Sequence, residues 1–185
     1  MPTTSKASQF FERADQLEFA LCQSINRAIR FRPIKSYFRL VSWLGDGWLW
    51  YALILAIPFI APAHGQHMAI LMALTGLTCT LTYKALKHWL IRERPFISFP
   101  AISCATPPLD RYSFPSGHTM HAACFQAMLF AMLPALAWAT LPFTLSVAAS
   151  RVVLGLHYPS DVAAGAVIGG LMGWASVQLF VDLVV

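Results

Sequence analysis

Residues 8–31 place apolar side chains at three- and four-residue steps: Phe10, Ala14, Leu17, Leu21, Ile25 and Ala28. Glu12, Arg13, Gln16, Gln23, Asn26 and Arg27 fall on other faces. The period is helical, and the charge is too dense for an easy crossing. The segment is therefore expected to lie in the membrane interface, with a tightly packed sixth span as the alternative. Five nearly continuous apolar stretches follow, at 47–62, 67–90, 116–138, 141–158 and 160–185. Each approaches the ~20 residues that a helix needs to cross the hydrocarbon of a bilayer. Trp43, Trp48, Trp50 and Tyr51 suit an interfacial belt at the first span. Gly165, Gly169, Gly170 and Gly173 in the fifth are spaced for close helix contact. Connections are short except for 91–115, whose five prolines predict an ordered, non-helical cap over the bundle. The pattern predicts one all-α domain, 1–185: a polytopic membrane bundle of five transmembrane helices plus the N-terminal amphipathic helix.

Composition agrees. The chain is 57% hydrophobic and 11% charged, with mean hydropathy +0.59; a soluble domain carries roughly 25% charged residues. A formal net charge of +5 could suggest nucleic acid in a soluble protein. Here the cations are first assigned to sides of a bilayer, and no nucleic acid or obligate protein partner is implied. Cys22, Cys79, Cys104 and Cys124 show no metal-ligand spacing and are read as small apolar residues. The polar N-terminus lacks the pattern of a cleavable signal, so the spans themselves are expected to direct insertion.

Five consecutive spans alternate sides. The end of the second, the start of the third, the end of the fourth and the start of the fifth therefore share one face. Lys87, Arg94, Ser116, His118, Arg151, His157 and Asp161 all lie there. Singly, Lys87 or Arg94 could snorkel, His118 could be a core histidine, and Asp161 could cap a helix. Arg151 lies well inside an apolar span and needs a partner. Ionisable residues inside a membrane are expensive, and a converging set of seven polar residues, six of them ionisable, points to function. His64 and His67 fall on the opposite face, and His88 points away from Lys87.

Three segments carry a resemblance. KHWLIRERP (87–95) fits K-x6-R-P, PSGH (115–118) stands complete, and SRVVLGLHYPSD (150–161) fits S-R-x5-H-x3-D. Together they resemble the three-part signature of the type 2 phosphatidic acid phosphatase (PAP2) superfamily, and the apolar spans suit its membrane branch. The resemblance implies a lipid phosphatase. His157 would attack phosphorus to give a phosphohistidine, and Asp161 would orient it. His118 would protonate the leaving alkoxide and then activate water. Lys87, Arg94 and Arg151 would neutralise the phosphate. Ser116 and Gly117 would offer N–H groups at a helix N-terminus, with Ser116 adding its hydroxyl. Ser150 belongs to the signature and can donate to the phosphate. His121 is read as packing behind the site, and Tyr112, Phe96 and Phe99 of the cap as contacting the headgroup or first acyl carbons. Arg151 and His157 are placed on one helix, about 1.7 turns apart, which Tyr158 and Pro159 end. No metal and no cofactor is implied.

The substrate is expected to be a lipid phosphate in the bilayer: a polyprenyl phosphate or undecaprenyl diphosphate, phosphatidylglycerol phosphate, or phosphatidic acid. A phosphotransferase using the same intermediate is the second enzyme reading. A non-enzymatic membrane binding protein and a haem protein ligated by His118 and His157 are the rivals from other classes. The Lys, Arg and Asp clustered about those histidines argue against haem. All 13 Lys and Arg fall on the active-face side when the N-terminal helix does not cross. By the positive-inside rule the site then faces the cytoplasm. The resemblance favours the periplasmic face of a bacterial inner membrane instead.

Overall fold

The computed structural model describes residues 6–180, with side chains from residue 11 onward. Phe10 and the end of the last predicted span, 181–185, thus lie outside the described side chains. The helices are α1 (Lys6–Asn26), α2 (Arg32–Trp43), α3 (Leu49–Ile60), α4 (Gly65–Leu90), a short α5 (Pro95–Ser98), α6 (Gly117–Met132), α7 (Pro134–Val153) and α8 (Pro159–Leu179). Arg32–Ile60, Gly65–Leu90, Pro134–Val153 and Pro159–Leu179 are long and apolar enough to cross a membrane. α6 has 16 residues, a rise of about 24 Å. It runs through the middle of the bundle, packed on α8, α7 and α4. The predicted all-α membrane bundle is the observed one, and three element boundaries differ.

The first span begins at Arg32, not near residue 47. Arg32, Lys35 and Arg39 make α2 look like a loop to a hydropathy reading, yet they are largely solvent-facing while Val41 and Ser42 are buried. α2 is followed by α3 across a kink at Leu44–Trp48, where Gly47 is non-helical. It is tied to α7 by a hydrogen bond of 2.8 Å between Tyr37 and Ser146. Trp43, Trp48 and Tyr51 are exposed as an interfacial belt requires, but Trp50 is buried against Phe125 and Phe143. The third and fourth spans meet at Leu133, so residues 134–138, predicted as the end of the third span, and the link at 139–140 are helical turns of α7. Pro134 occupies the first turn of α7, where its missing N–H costs nothing.

The fourth span ends at Val153, earlier than Tyr158. Gly155 takes a left-handed φ of 77°, and a Cβ there would sit 2.6 Å from the Ser103 carbonyl. It acts as the terminating glycine of α7. The N–H groups of Leu156 and His157 both return to the Arg151 carbonyl, at 3.0 and 3.1 Å. Arg151 and His157 are thus joined by a helix cap, not by one continuous helical face.

α1 lies across the capped end of the bundle, and its orientation differs from the periodic reading. Leu17 and Leu21 face outward, 84% and 51% exposed. The stripe toward the protein is Phe11, Asp15, Cys22 and Asn26, all buried. Phe19 and Ile25 join it against Ile102, Phe96 and Phe99 of the cap. Buried Asn26 donates to the carbonyls of Ser103 and Val153 (3.0 and 2.9 Å) and accepts from the Ser103 N–H at 2.9 Å. Polar residues face inward here because the cap and the end of α7 offer unpaired backbone groups that lipid cannot satisfy.

The α6–α8 contact fixes the bundle. A Cβ on Gly165, Gly169 or Gly173 would stand 2.6, 2.0 or 2.2 Å from the carbonyl oxygens of Ser116, Met120 and Cys124. The two backbones touch along that stripe. Gly170 has nothing within 4 Å and does not belong to it. Gly169→Ala is therefore expected to destabilise the protein by about 2 kcal/mol or more through overpacking. Gly170→Ala should be neutral or gain up to ~1 kcal/mol from helix propensity. Thermal unfolding of the two variants in the same detergent compares them, and equal midpoints would contradict the packing account.

Candidate active site

A cavity of about 570 Å³ opens beneath the cap. Its walls come from five parts of the chain: Asp46 of the α2–α3 junction, Thr80, Tyr83 and Lys87 of α4, Arg94 and Asp110 of the cap, Gly117, His118 and His121 of α6, and Arg151 with His157. The convergence expected from alternating spans is present.

The cations are organised by a residue that the sequence reading left out. The Asp110 carboxylate accepts from Lys87 Nζ at 2.9 and 2.8 Å and from Arg94 Nη2 at 2.8 Å. Its carbonyl accepts from Arg94 Nε at 2.8 Å. Burial alone would raise the Asp110 carboxyl, but Lys87 and Arg94 outweigh it and hold it below the usual carboxylate range. Two like charges are thereby kept side by side. Arg151, buried on α7, donates Nη1 to the Ser42 hydroxyl.

His157 is 2% exposed. Its Nε2 lies 3.2 Å from Arg94 Nη1. A guanidinium has no acceptor, so Nε2 is the lone-pair nitrogen and Nδ1 carries the proton. Nδ1 stands 3.5 Å from Asp161 Oδ2, close enough to be oriented but longer than a formed hydrogen bond. Burial, then Arg94, Arg151 and Lys87, push His157 well below the usual imidazole value. The ring is therefore neutral at pH 7 and its Nε2 lone pair is available.

Asp161 is fully buried behind His157. Oδ2 accepts the Tyr158 N–H at 2.9 Å, and Oδ1 accepts Arg92 Nη1 at 2.6 Å. Arg92 also donates to Ser160 at 2.6 Å, to Asp15 of α1 at 2.7 and 2.8 Å, and to Glu18 at 3.4 Å. The Glu18 carboxylate in turn accepts the Ser160 N–H at 2.9 Å, at the start of α8. The sequence reading missed Arg92. Its available signal was a second arginine in RERP, next to a helix end carrying an acid.

Not every expected residue reaches the cavity. Ser116 spends its N–H on the Asp161 carbonyl at 3.1 Å and pairs its hydroxyl with Thr119 at 3.0 Å. Gly117 does line the cavity, with the Tyr83 ring against it. Ser150 donates to the Val147 carbonyl at 2.6 Å inside its own helix. Tyr112 pairs with Glu93 in the cap's bridge, and Phe99 stacks on Phe19 of α1. These aromatics hold the cap down and do not line the cavity. His121 lines it, with Nδ1 at 3.0 Å from the Gly117 carbonyl and Nε2 at 3.0 Å from that of Gly76. His118 faces Asp46, another residue the sequence reading missed; His118 Nε2 lies 3.4 Å from Asp46 Oδ1. An acid between two glycines in an apolar span, GDG, was the signal. Among the described residues no group of His, Cys, Asp and Glu is arranged to hold a metal ion.

The arrangement is a set of cations around a buried neutral imidazole, with a second imidazole at a helix N-terminus. Such a site suits a tetrahedral anion and its transfer. Known proteins point the same way. The chain is 32% identical to decaprenylphosphoryl-5-phosphoribose phosphatase of Mycobacterium tuberculosis, over 88% of this chain and 90% of that one. It is 28% identical to undecaprenyl-diphosphatase BcrC of Bacillus subtilis over 73% of each. Its fold superposes on the crystal structure of a transmembrane PAP2-type phosphatidylglycerolphosphate phosphatase from Bacillus subtilis with a TM-score of 0.73 at 25% identity, covering 96% and 95% of the two chains. The Aquifex aeolicus LpxE structure gives a TM-score of 0.75 at 26% identity, over 88% of this chain and 95% of that one. Residues 66–184 match the PAP2 superfamily, and with well over half of its length matched the chain belongs to that family.

Proposed function

We propose that this protein is an integral-membrane lipid phosphatase that works through a phosphohistidine on His157. The observation that carries the reading is the cavity itself: Lys87, Arg94 and Arg151 face one space together with the lone pair of His157 and the ring of His118. A phosphate dianion repels a nucleophile, and three cations remove that obstacle. His157 Nε2 attacks phosphorus while the ester P–O bond breaks. The leaving alkoxide takes the proton of His118, and Asp161 stabilises the charge gained by His157. Neutral His118 then takes a proton from water, hydroxide attacks phosphorus, and the P–N bond returns its electrons to His157.

The cavity also supports a lipid substrate. Beyond the cations it continues along Trp50, Ile54, Leu55, Leu77 and Phe125 between α3 and α4. Leu55 and Leu77 are 72% and 56% exposed on the face that lipid would cover. A headgroup phosphate can sit among the cations while its hydrocarbon stays in the bilayer. The relatives named for decaprenyl and undecaprenyl substrates favour a polyprenyl-linked phosphate. Phosphatidylglycerol phosphate and phosphatidic acid are the comparison substrates.

The distribution of charge supports a cytoplasmic face for the site. No Lys or Arg occurs at 40–83, 112–150 or 152–185. The loop after α3, the turn at Leu133 and the end of α8 are therefore free of cations, while Arg27, Arg30, Arg32, Lys35 and Lys84 flank the capped end.

Two outcomes are expected. Purified protein in detergent with EDTA should release phosphate from at least one of these lipids, and His157→Gln should lower release by about 1,000-fold or more. Undiminished release by that variant would end the mechanism. Cys104 lies exposed in the cap, whereas Cys22, Cys79 and Cys124 are buried. An impermeant maleimide should therefore label Cys104 only after the cells are permeabilised. Labelling of intact cells would put the site outside.

A further inference from the structure

The α2–α3 junction is the most irregular part of the bundle. A helix of 29 residues that crosses a membrane has no local reason to carry Gly-Asp-Gly in its middle. The helix kinks at Leu44–Trp48, where Gly47 leaves helical geometry at φ 133°. A Cβ on Gly45 would stand 2.8 Å from Val147 of α7, so the junction is also pressed against its neighbour. A kink of this kind re-aims a side chain that a regular helix would direct elsewhere. Here the side chain re-aimed is Asp46. It lines the cavity, 39% exposed, 3.4 Å from His118 Nε2.

His118 has an electrostatic difficulty that Asp46 answers. It must hold a proton for the leaving alkoxide while sharing a cavity with Lys87, Arg94, Arg151 and His157. Four cationic or electropositive neighbours oppose that proton. Of the other acids at the site, Asp110 is spent on Lys87 and Arg94, and Asp161 on Arg92 and the Tyr158 N–H. Asp46 is the carboxylate that faces His118. We propose that Asp46 is a positioning residue for the general acid: it holds the proton on His118 Nε2 until the leaving oxygen arrives. At 3.4 Å the contact is loose enough to yield that proton to a better acceptor. The proton goes from Nε2 to the alkoxide oxygen as the P–O bond breaks, leaving His118 neutral for the attacking water. The inference rests on the phosphatase reading above and adds a second acid–imidazole pair to it, beside Asp161 and His157.

A charge-balancing role for Asp46 toward Arg151 would also put a carboxylate here, and the leaving group distinguishes the two. An alkyl phosphate expels a strongly basic alkoxide and needs the acid. A nitrophenyl phosphate bearing the same hydrocarbon tail expels a weakly basic phenolate and does not. Asp46→Asn is expected to lower kcat/KM on the alkyl ester by about 100-fold, the lower end of general-acid effects. On the nitrophenyl ester it should change kcat/KM by no more than about threefold. His118→Asn should show the same selectivity, and the double variant should lose little more than either single one. Asp46→Glu, which keeps the charge, should recover part of the alkyl rate; it serves as the test should the Asn variant not fold. Equal losses on both esters, or no loss on either, would overturn the inference while leaving the phosphatase reading intact. Wild-type protein that releases phosphate from no lipid ester would remove the reading beneath it.

Discussion

The burial of Asp161 constrains everything around it. A carboxylate with no water must be paired and hydrogen-bonded, and breaking such a pair by removing one partner costs ~3–5 kcal/mol. Asp161 is met by the Tyr158 N–H and by Arg92. Arg92 is itself 2% exposed and sits over the Tyr158 ring at 4.0 Å. One acid does not balance it in that setting, and α1 supplies Asp15 and Glu18. The N-terminal helix is thus bound into the active end of the molecule by a chain of alternating charges that terminates at His157. An amphipathic helix that merely floated in the interface would have no use for two inward acids.

The same logic orders the other half of the site. Lys87 and Arg94 repel each other, and Asp110 lets them stand together. Asp110 can do so only from an irregular chain that crosses over the bundle. The prolines of 91–115 prevent that chain from becoming helix, and Ala105 N–H to the Leu154 carbonyl and Ser113 N–H to the Arg92 carbonyl, 3.1 and 2.8 Å, fix its course. The cap is held from below by α1 through Asn26 and through the Phe19–Phe99 stack.

Much of this was legible in the sequence. Apolar length announced the spans, and the residues of the three signature segments that line the cavity were named from the alternation of the spans and from the family resemblance. What escaped has a physical reason in each case. Hydropathy averages over a window, so it passed over the turn at Leu133 and lost α2 behind Arg32, Lys35 and Arg39. Periodicity identifies a helix but not which neighbour it faces. Leu17 and Leu21 looked like the buried stripe of α1 because they are apolar, yet the adjoining surface is rich in unpaired carbonyls and a buried arginine. That surface selected Asp15 and Asn26. Ser116 and Ser150 carry the right chemistry for a phosphate, but a nearer carbonyl or hydroxyl takes their hydrogen-bonding capacity first.

A regular helix places side chains around its circumference and none along its axis. A site at the end of a bundle therefore needs helices that break where the chemistry is. This protein breaks them in two ways. α7 stops at Gly155, whose left-handed turn brings His157 back beside the carbonyl of Arg151. The first span buckles at Leu44–Trp48 and swings Asp46 toward His118. α6 and α8 can stay regular because Gly165, Gly169 and Gly173 let their backbones touch. That contact puts the start of α8 against the start of α6, where the Asp161 carbonyl accepts the Ser116 N–H. The tight pair sets the depth of the site, and the two broken helices bring the reactive groups to that depth.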